Sequence, residues 1–568
     1  MKKIISGTAA LLTAVTIAGN VAYAVKNYTV NDLKGLSDYI LGKAGTAEDV
    51  NNDGAVDVFD LIEMRKAFSD SGELTESLIP ASEENVKFTG RNYCDKEGVT
   101  WLVQSGSAVE FNVSAESAEV TIYGDENINS DEKYRPRYAV IVDGEIILDE
   151  VMSEKEKTVE LFSGKENRTA EVKIIHLSEA NNGTVGVGDI KVNSTASIPV
   201  SPLPEKDLLI EFIGDSITCA YGVEGTSAYE NFMTSTENFM KSYAYLTAQK
   251  LNADYSAVCY SGHGIVSGYT QDGSINTDSL VPDVYEQIGK IKPYDVAWNF
   301  KRKPDVIVIN LGTNDNTYVS AKDTEKRSEE YIKAYTDFLR NIYAENPDAH
   351  IICTLGTMGC QELYPCIETA VERFKAVYHT DNISCYMSAV QDMNEGLGSD
   401  WHPNAINQQK SAYVLADKIC QALGIESDMI GLDVASDAKY SLEKADNVNV
   451  SDYFSDYDKS YHITTVTGGD DINSIKAHVS GIKLKKDGEY DLSFAIDTAK
   501  GQKIPFSLIG SDGTVYCEAV FTGTGEKSVF SDKFTSSVND DSAELVFCMG
   551  GTDNLRASLY DVKMVKVK

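Results

Sequence analysis

Short polar blocks stand at the ends of apolar, strand-like runs, with amphipathic helical stretches between them, and this rhythm leaves few folds open to the chain. Gly214-Asp215-Ser216-Ile217-Thr218-Cys219 follows the apolar run 208–213, and Tyr260-Ser261-Gly262-His263-Gly264 follows 253–259. Leu311-Gly312-Thr313-Asn314-Asp315 follows 305–310, and Ser399-Asp400-Trp401-His402-Pro403-Asn404 lies in a later loop. Helical periodicity over 237–252, 326–344, 366–379 and 407–423 alternates with these strands. Residues 205–425 are therefore expected to form an α/β domain, a parallel sheet with helices on both faces. In such a fold the loops after the strands meet at one edge of the sheet, where sites form.

The residue types in these loops suit acyl transfer. A serine hydroxyl is a poor nucleophile until a base removes its proton. A histidine titrating near neutrality can take that proton and return it to a leaving alcohol. Ser216 is the expected nucleophile, His402 its base, and Asp400 the candidate third member. An oxyanion hole is expected from the backbone N–H groups of Ser216 and Gly262 and the side-chain amide of Asn314. Asp315 reads as a helix N-cap or loop hydrogen bonder, and Cys219 as a buried apolar position.

Blocks carrying Ser, Gly, Asn and His in this order resemble the SGNH (GDSL-type) hydrolases. In that superfamily the acid usually stands three residues before the histidine, a place held here by Ser399, whereas Asp400 is two before. Either Asp400 or a backbone carbonyl near Trp401 could orient the imidazole. The Asp-x-His-Pro spacing is similar to carbohydrate esterase family 2, acetyl esterases of plant polysaccharides. That resemblance implies a jelly-roll domain ahead of a flavodoxin-like catalytic domain, with acetylxylan or acetylated glucomannan as substrate. No cofactor is expected in catalysis. Trp401, between Asp400 and His402, is either a sugar platform or packing beneath the histidine; Tyr221, Tyr318 and Trp298 are weaker candidates. The alternatives are a lipase or thioesterase of the same superfamily and a non-catalytic carbohydrate-binding scaffold protein.

At 568 residues and 42% hydrophobic content the chain exceeds one core and should divide into several domains. A net charge of −36 disfavours nucleic acid and anionic membranes as partners. Lys2-Lys3, the apolar stretch 4–18 and Ala22-Tyr23-Ala24 read as a signal peptide over 1–24, so export is expected. No other run approaches the length of a membrane span. The ten cysteines include Cys259, Cys353, Cys385 and Cys548 in apolar runs, which suits buried thiols; Cys360 with Cys366 and Cys517 with Cys548 are the pairs to inspect.

Residues 25–72 carry a metal signature. Asp49, Asn51, Asp53, Ala55, Asp57 and Asp60 occupy the ligand positions of a calcium loop, with Gly54 at the sharp turn. Aspartate at the last position, followed by a helix from Leu61, resembles a type I dockerin, which implies a cohesin of a cellulosome scaffold as partner. Val30-Asn31-Asp32-Leu33 repeats as Val58-Phe59-Asp60-Leu61, but the acidic half of the first loop would fall inside the signal peptide. One Ca2+ is expected, not two. Short alternating runs at 108–113, 118–123, 138–142 and 170–175 predict a β-sandwich over 83–200. A second β-sandwich, with a carbohydrate-binding or accessory role, is expected over 446–568.

Overall fold

The computed structural model describes residues 35–37, 39–40, 47–50, 54–61, 64 and 74–568, apart from 456–457. The expected signal peptide lies outside the described residues.

The N-terminal β-domain is one connected sheet of ten strands wrapped around its own apolar core. The runs predicted at 108–113 and 118–123 are two halves of a single strand, Ala108–Gly124. Its register slips between Ala115 and Ser117 and again between Ala118 and Glu119. Such bulges bend a strand without ending it. The first half pairs with Lys87–Thr89 and Val200–Pro202, the second with Val185–Ser194. The small polar residues Ser114 and Ser117, which read as a turn, mark this bend.

The α/β domain has five parallel strands in the spatial order Asp254–Cys259, Leu209–Gly214, Val306–Asn310, His350–Leu355, Ile383–Met387. Leu209–Gly214 and Val306–Asn310 are buried along their whole length, as strands covered on both faces must be. Helices Thr324–Glu345 and Tyr364–Tyr378 pack on one face. Tyr243–Lys250 and Ala405–Leu423 pack on the other. The helix predicted from 237 starts later, at Tyr243, because Ser242 accepts the Tyr245 N–H and caps it there. The first strand has the second on one side and the third on the other. Its loop and that of the third strand therefore flank the topological switch point, where open α/β sheets bind their ligands.

The two domains share a seam of buried charge. Arg91 of the β-domain is fully buried, 3.1 Å from Glu211 in strand Leu209–Gly214, and lies over the rings of Tyr285, Trp298 and Phe300. Trp298 is thus committed to the seam. Lys87 pairs with Asp254 at 2.6 Å, and Arg137 with Glu224 at 2.7 Å. Buried charges are tolerated when paired and hydrogen-bonded in this way.

The C-terminal domain is two five-stranded antiparallel sheets around a common core. It begins with Lys439–Lys444, ahead of the boundary expected at 446. That strand is an edge strand whose residues are mostly exposed, including Lys439, Glu443 and Lys444, so it reads as connector. All ten cysteines are free thiols, including the four inspected for pairing. Among the described residues no helix is long and apolar enough to cross a membrane.

Candidate active site

Each expected residue owes its place to a local feature of the chain. Gly214 ends strand Leu209–Gly214 where a Cβ would lie 2.0 Å from Thr218 Oγ1, so the absence of a side chain lets the following helix pack close. Asp215 accepts the Ile217 N–H at 3.0 Å and caps the short helix Ser216–Cys219. Ser216 thereby stands at the helix start, its own N–H free of any partner among the described residues.

His402 arrives from the loop before the last catalytic helix, which Asn404 caps by accepting the Asn407 N–H at 3.0 Å. Its Nε2 is 2.8 Å from Ser216 Oγ. Its Nδ1 lies 3.0 Å from the backbone carbonyl of Asp400, so Nδ1–H donates to that carbonyl and Nε2 is left to accept from the serine hydroxyl. The Asp400 carboxylate does not take the orienting role expected of it. Its Oδ2 accepts the Tyr221 hydroxyl at 2.9 Å and the Phe232 N–H at 3.0 Å. The cause is backbone conformation: Asp400 and Trp401 are both left-handed, with φ of 49° and 67°. Two such residues in succession turn the Asp400 carbonyl toward the imidazole and its carboxylate away, at a cost of about 1–3 kcal/mol each. The arrangement is a Ser–His dyad held by a backbone carbonyl.

Burial lowers the His402 pKa to about 4, outweighing the hydrogen bonds to the Ser399 and Asp400 backbone and the Asp400 charge, which raise it. The imidazole is therefore neutral, the form that can act as base. The Tyr221 ring lies tilted against it with centroids 4.3 Å apart and stacks on Phe232 at 4.1 Å. Burial pushes Asp215 up to about 7 and Asp315 to about 6.

The other two residues expected to supply oxyanion donors, Gly262 and Asn314, stand after two further strands. Gly262 has φ of 76°, an N–H without a partner among the described residues, and open space where a Cβ would point. Asn314, one residue into the helix Thr313–Val319, donates through Nδ2 to the His263 carbonyl at 2.8 Å, with a longer 3.4 Å contact to Asp215. Asp315 is a loop hydrogen bonder: its carboxylate accepts the N–H groups of Ile265, Val266 and Ser267. Trp401 is 43% exposed and meets the 81% exposed Tyr229 edge-on, with centroids 5.1 Å apart. It therefore stands at the rim and is not packed beneath His402. Tyr318 is buried, its hydroxyl on Glu330 and its ring against Arg327. Tyr229 carried no sequence signal, because its position beside Trp401 depends on a loop fold joining Asp400 N–H to the Glu230 carbonyl.

Of the calcium-loop residues, Asn51 and Asp53 lie outside the described set. Gly54 has φ of 90° and donates to Asp49 Oδ2 at 2.8 Å, closing the turn that such a loop needs. Asp60 is buried and accepts the N–H groups of Val50 and Asp57.

Comparison with known proteins gives three matching family models: GDSL-like lipase/acylhydrolase over residues 210–399, the carbohydrate esterase 2 N-terminal domain over 88–202, and a carbohydrate binding domain over 437–555. A cellulase/esterase of Acetivibrio thermocellus is 33% identical over 327 residues, 56% of this chain and 37% of that protein. An acetylxylan esterase/glucomannan deacetylase of Cellvibrio japonicus is 27% identical over 285 residues, 50% of this chain and 76% of that one. The solved structure of a family two carbohydrate esterase from Clostridium thermocellum in complex with cellohexaose is 30% identical with a TM-score of 0.51, covering 60% of this chain and 99% of that chain.

Proposed function

The chain belongs to carbohydrate esterase family 2, and on that premise we propose that it is a secreted enzyme removing O-acetyl groups from plant cell-wall polysaccharides, acetylxylan or acetylated glucomannan. The observation that carries this reading is the 2.8 Å contact of Ser216 Oγ with a half-buried, neutral His402, beside N–H groups at Ser216 and Gly262 that have no partner among the described residues.

The steps follow from the geometry. His402 Nε2 takes the Ser216 proton as Oγ attacks the acetyl carbonyl carbon. The Asp400 carbonyl keeps the proton on Nδ1 in place and steadies the imidazolium that forms. Negative charge moves to the acyl oxygen, where the N–H groups of Ser216 and Gly262 and the Asn314 amide receive it; one such donor is worth about 2.7–4 kcal/mol. The imidazolium then protonates the departing sugar oxygen, leaving acetyl-Ser216. A water deprotonated by the same nitrogen releases acetate and restores the serine.

Trp401 and Tyr229, exposed and edge-to-face at the rim, are assigned as the sugar platform, since pyranose rings stack on aromatic faces. The C-terminal carbohydrate-binding domain would hold the same polymer. In the N-terminal segment, Asp49, Asn51, Asp53, the Ala55 carbonyl, Asp57 and Asp60 would bind one Ca2+. The closed Asp49–Gly54 turn supports this. The ion would order a dockerin-like module for a cohesin and takes no part in ester chemistry. The test is acetate release from acetylxylan, acetylated glucomannan and a long-chain acyl ester. Release from the polysaccharides alone is expected, and preference for the long-chain ester would make the protein a lipase of the same fold.

A further inference from the structure

The dyad belongs to one domain, but the loop presenting Gly262 is tied to another. Residues 260–263 form a turn closed by His263 N–H on the Tyr260 carbonyl at 3.3 Å, with Gly262 in the left-handed third position that a type II turn requires. Turn types differ in which way the middle peptide faces. The direction of the Gly262 N–H therefore depends on what holds the Ser261–Gly262 peptide.

One contact holds that peptide directly, and a second fixes the Tyr260–Ser261 peptide just before it, from which the turn starts. The Ser261 carbonyl accepts His263 Nδ1–H at 3.1 Å, a tautomer fixed because Lys290 Nζ donates to Nε2 at 2.9 Å. The Ser261 N–H is held at 2.8 Å by Oε2 of Glu179, which belongs to the N-terminal β-domain. Glu179 sits in the turn between strands Glu156–His176 and Val185–Ser194, is 3% exposed, and is itself braced. Asn181 Nδ2 donates to the same Oε2 at 3.0 Å, and the Glu179 N–H donates to Glu237 Oε2 at 3.0 Å. Beyond Gly262, Asp315 pins residues 265–267, so the stretch left for Glu179 to hold is the one carrying the Gly262 N–H, which has no partner among the described residues. A buried carboxyl is costly unless hydrogen-bonded, and this one aims both its bonds through a single oxygen at the loop and its own turn.

We propose that Glu179 is a positioning residue for the oxyanion hole: by accepting the Ser261 N–H across the domain seam, it aims the Gly262 N–H at the acyl oxygen. The N-terminal β-domain is then part of the catalytic apparatus and not only a neighbour of it. The proposal rests on the esterase reading above.

The test uses the full chain with an aryl acetate, measuring kcat, KM and thermal midpoint. Removing an oxyanion donor outright costs about a hundred- to a thousandfold in kcat; loosening one by Glu179→Ala should cost about ten- to a hundredfold, with KM within about twofold. Glu179→Gln keeps an acceptor oxygen at Oε2 and should retain kcat within about threefold, whereas Glu179→Asp keeps the carboxyl group, withdraws the oxygen and should fall with the alanine variant. Lys87→Met, which breaks the seam pair with Asp254, should lower the midpoint and leave kcat unchanged. The proposal is overturned if Glu179→Ala stays within threefold of wild type, if its loss is matched by Lys87→Met at equal midpoint, or if aspartate is spared and glutamine is not. Should the alanine variant fail to fold, the glutamine and aspartate pair decides. A wild-type rate no higher than that of Ser216→Ala would overturn the esterase reading itself, whatever Glu179 does.

Discussion

Asp400→Asn separates a carbonyl-held dyad from a carboxylate triad. In a triad the aspartate fixes the working tautomer, and its amide replacement drops kcat about ten-thousandfold, or about 5.4 kcal/mol. Here His402 Nδ1 is held by the Asp400 main-chain carbonyl, which the substitution leaves in place. Both side-chain bonds, to the Tyr221 hydroxyl and the Phe232 N–H, fall on Oδ2, so one amide oxygen can replace them. Asparagine also tolerates the left-handed φ of 49° found at this position. What is lost is the pull of the carboxylate charge on the imidazolium, and that charge is the weakest of the influences on the His402 pKa. The expected loss in kcat is under about tenfold, or about 1.4 kcal/mol. Steady-state kinetics with an aryl acetate, beside a thermal melt, measures it. A loss of a thousandfold or more at an unchanged melting midpoint would refute the carbonyl assignment.

Because the protonated imidazole cannot accept the serine proton and burial lowers its pKa to about 4, kcat/KM should stay level from neutral pH down to about 5 and halve near 4. An acid limb centred at 6.5 would mean that His402 is solvated in the working enzyme. Trp401→Ala should raise KM on acetylated polysaccharide about tenfold while leaving aryl acetate turnover within about twofold, given the 43% exposure of that ring at the rim; equal losses on both substrates would place the ring beneath the histidine. Calorimetric titration of the full chain with calcium should give one site in the N-terminal module, lost in Asp60→Ala. Two comparable sites would mean that the first repeat also binds.

The catalytic sheet was legible because its central strands are buried on both faces and its helices on one, so periodicity separates them. The reacting residues were legible because each stands close to the end of such an element: Ser216 after Gly214, Asn314 after Asn310, and His402 ahead of the Asn404 cap. The orienting group stays open between the Asp400 carboxylate and a backbone carbonyl near Trp401 because sequence spacing carries no sign of consecutive left-handed residues, and it is φ that decides which meets the imidazole. Glu179 was invisible for a different reason. Its contact with Ser261 spans 82 positions and a domain boundary, and nothing in either local pattern announces it. The long strand Ala108–Gly124 was divided in two because a bulge and a turn use the same small polar residues.

The central claim is that Ser216 is an activated nucleophile served by His402. A serine-reactive phosphonate applied to the intact protein, followed by peptide mass spectrometry, tests it most directly. The geometry predicts one stoichiometric adduct on Ser216, its formation slowed at least about a hundredfold in His402→Ala. Absence of label at Ser216, or labelling at an unchanged rate without His402, would contradict the assignment.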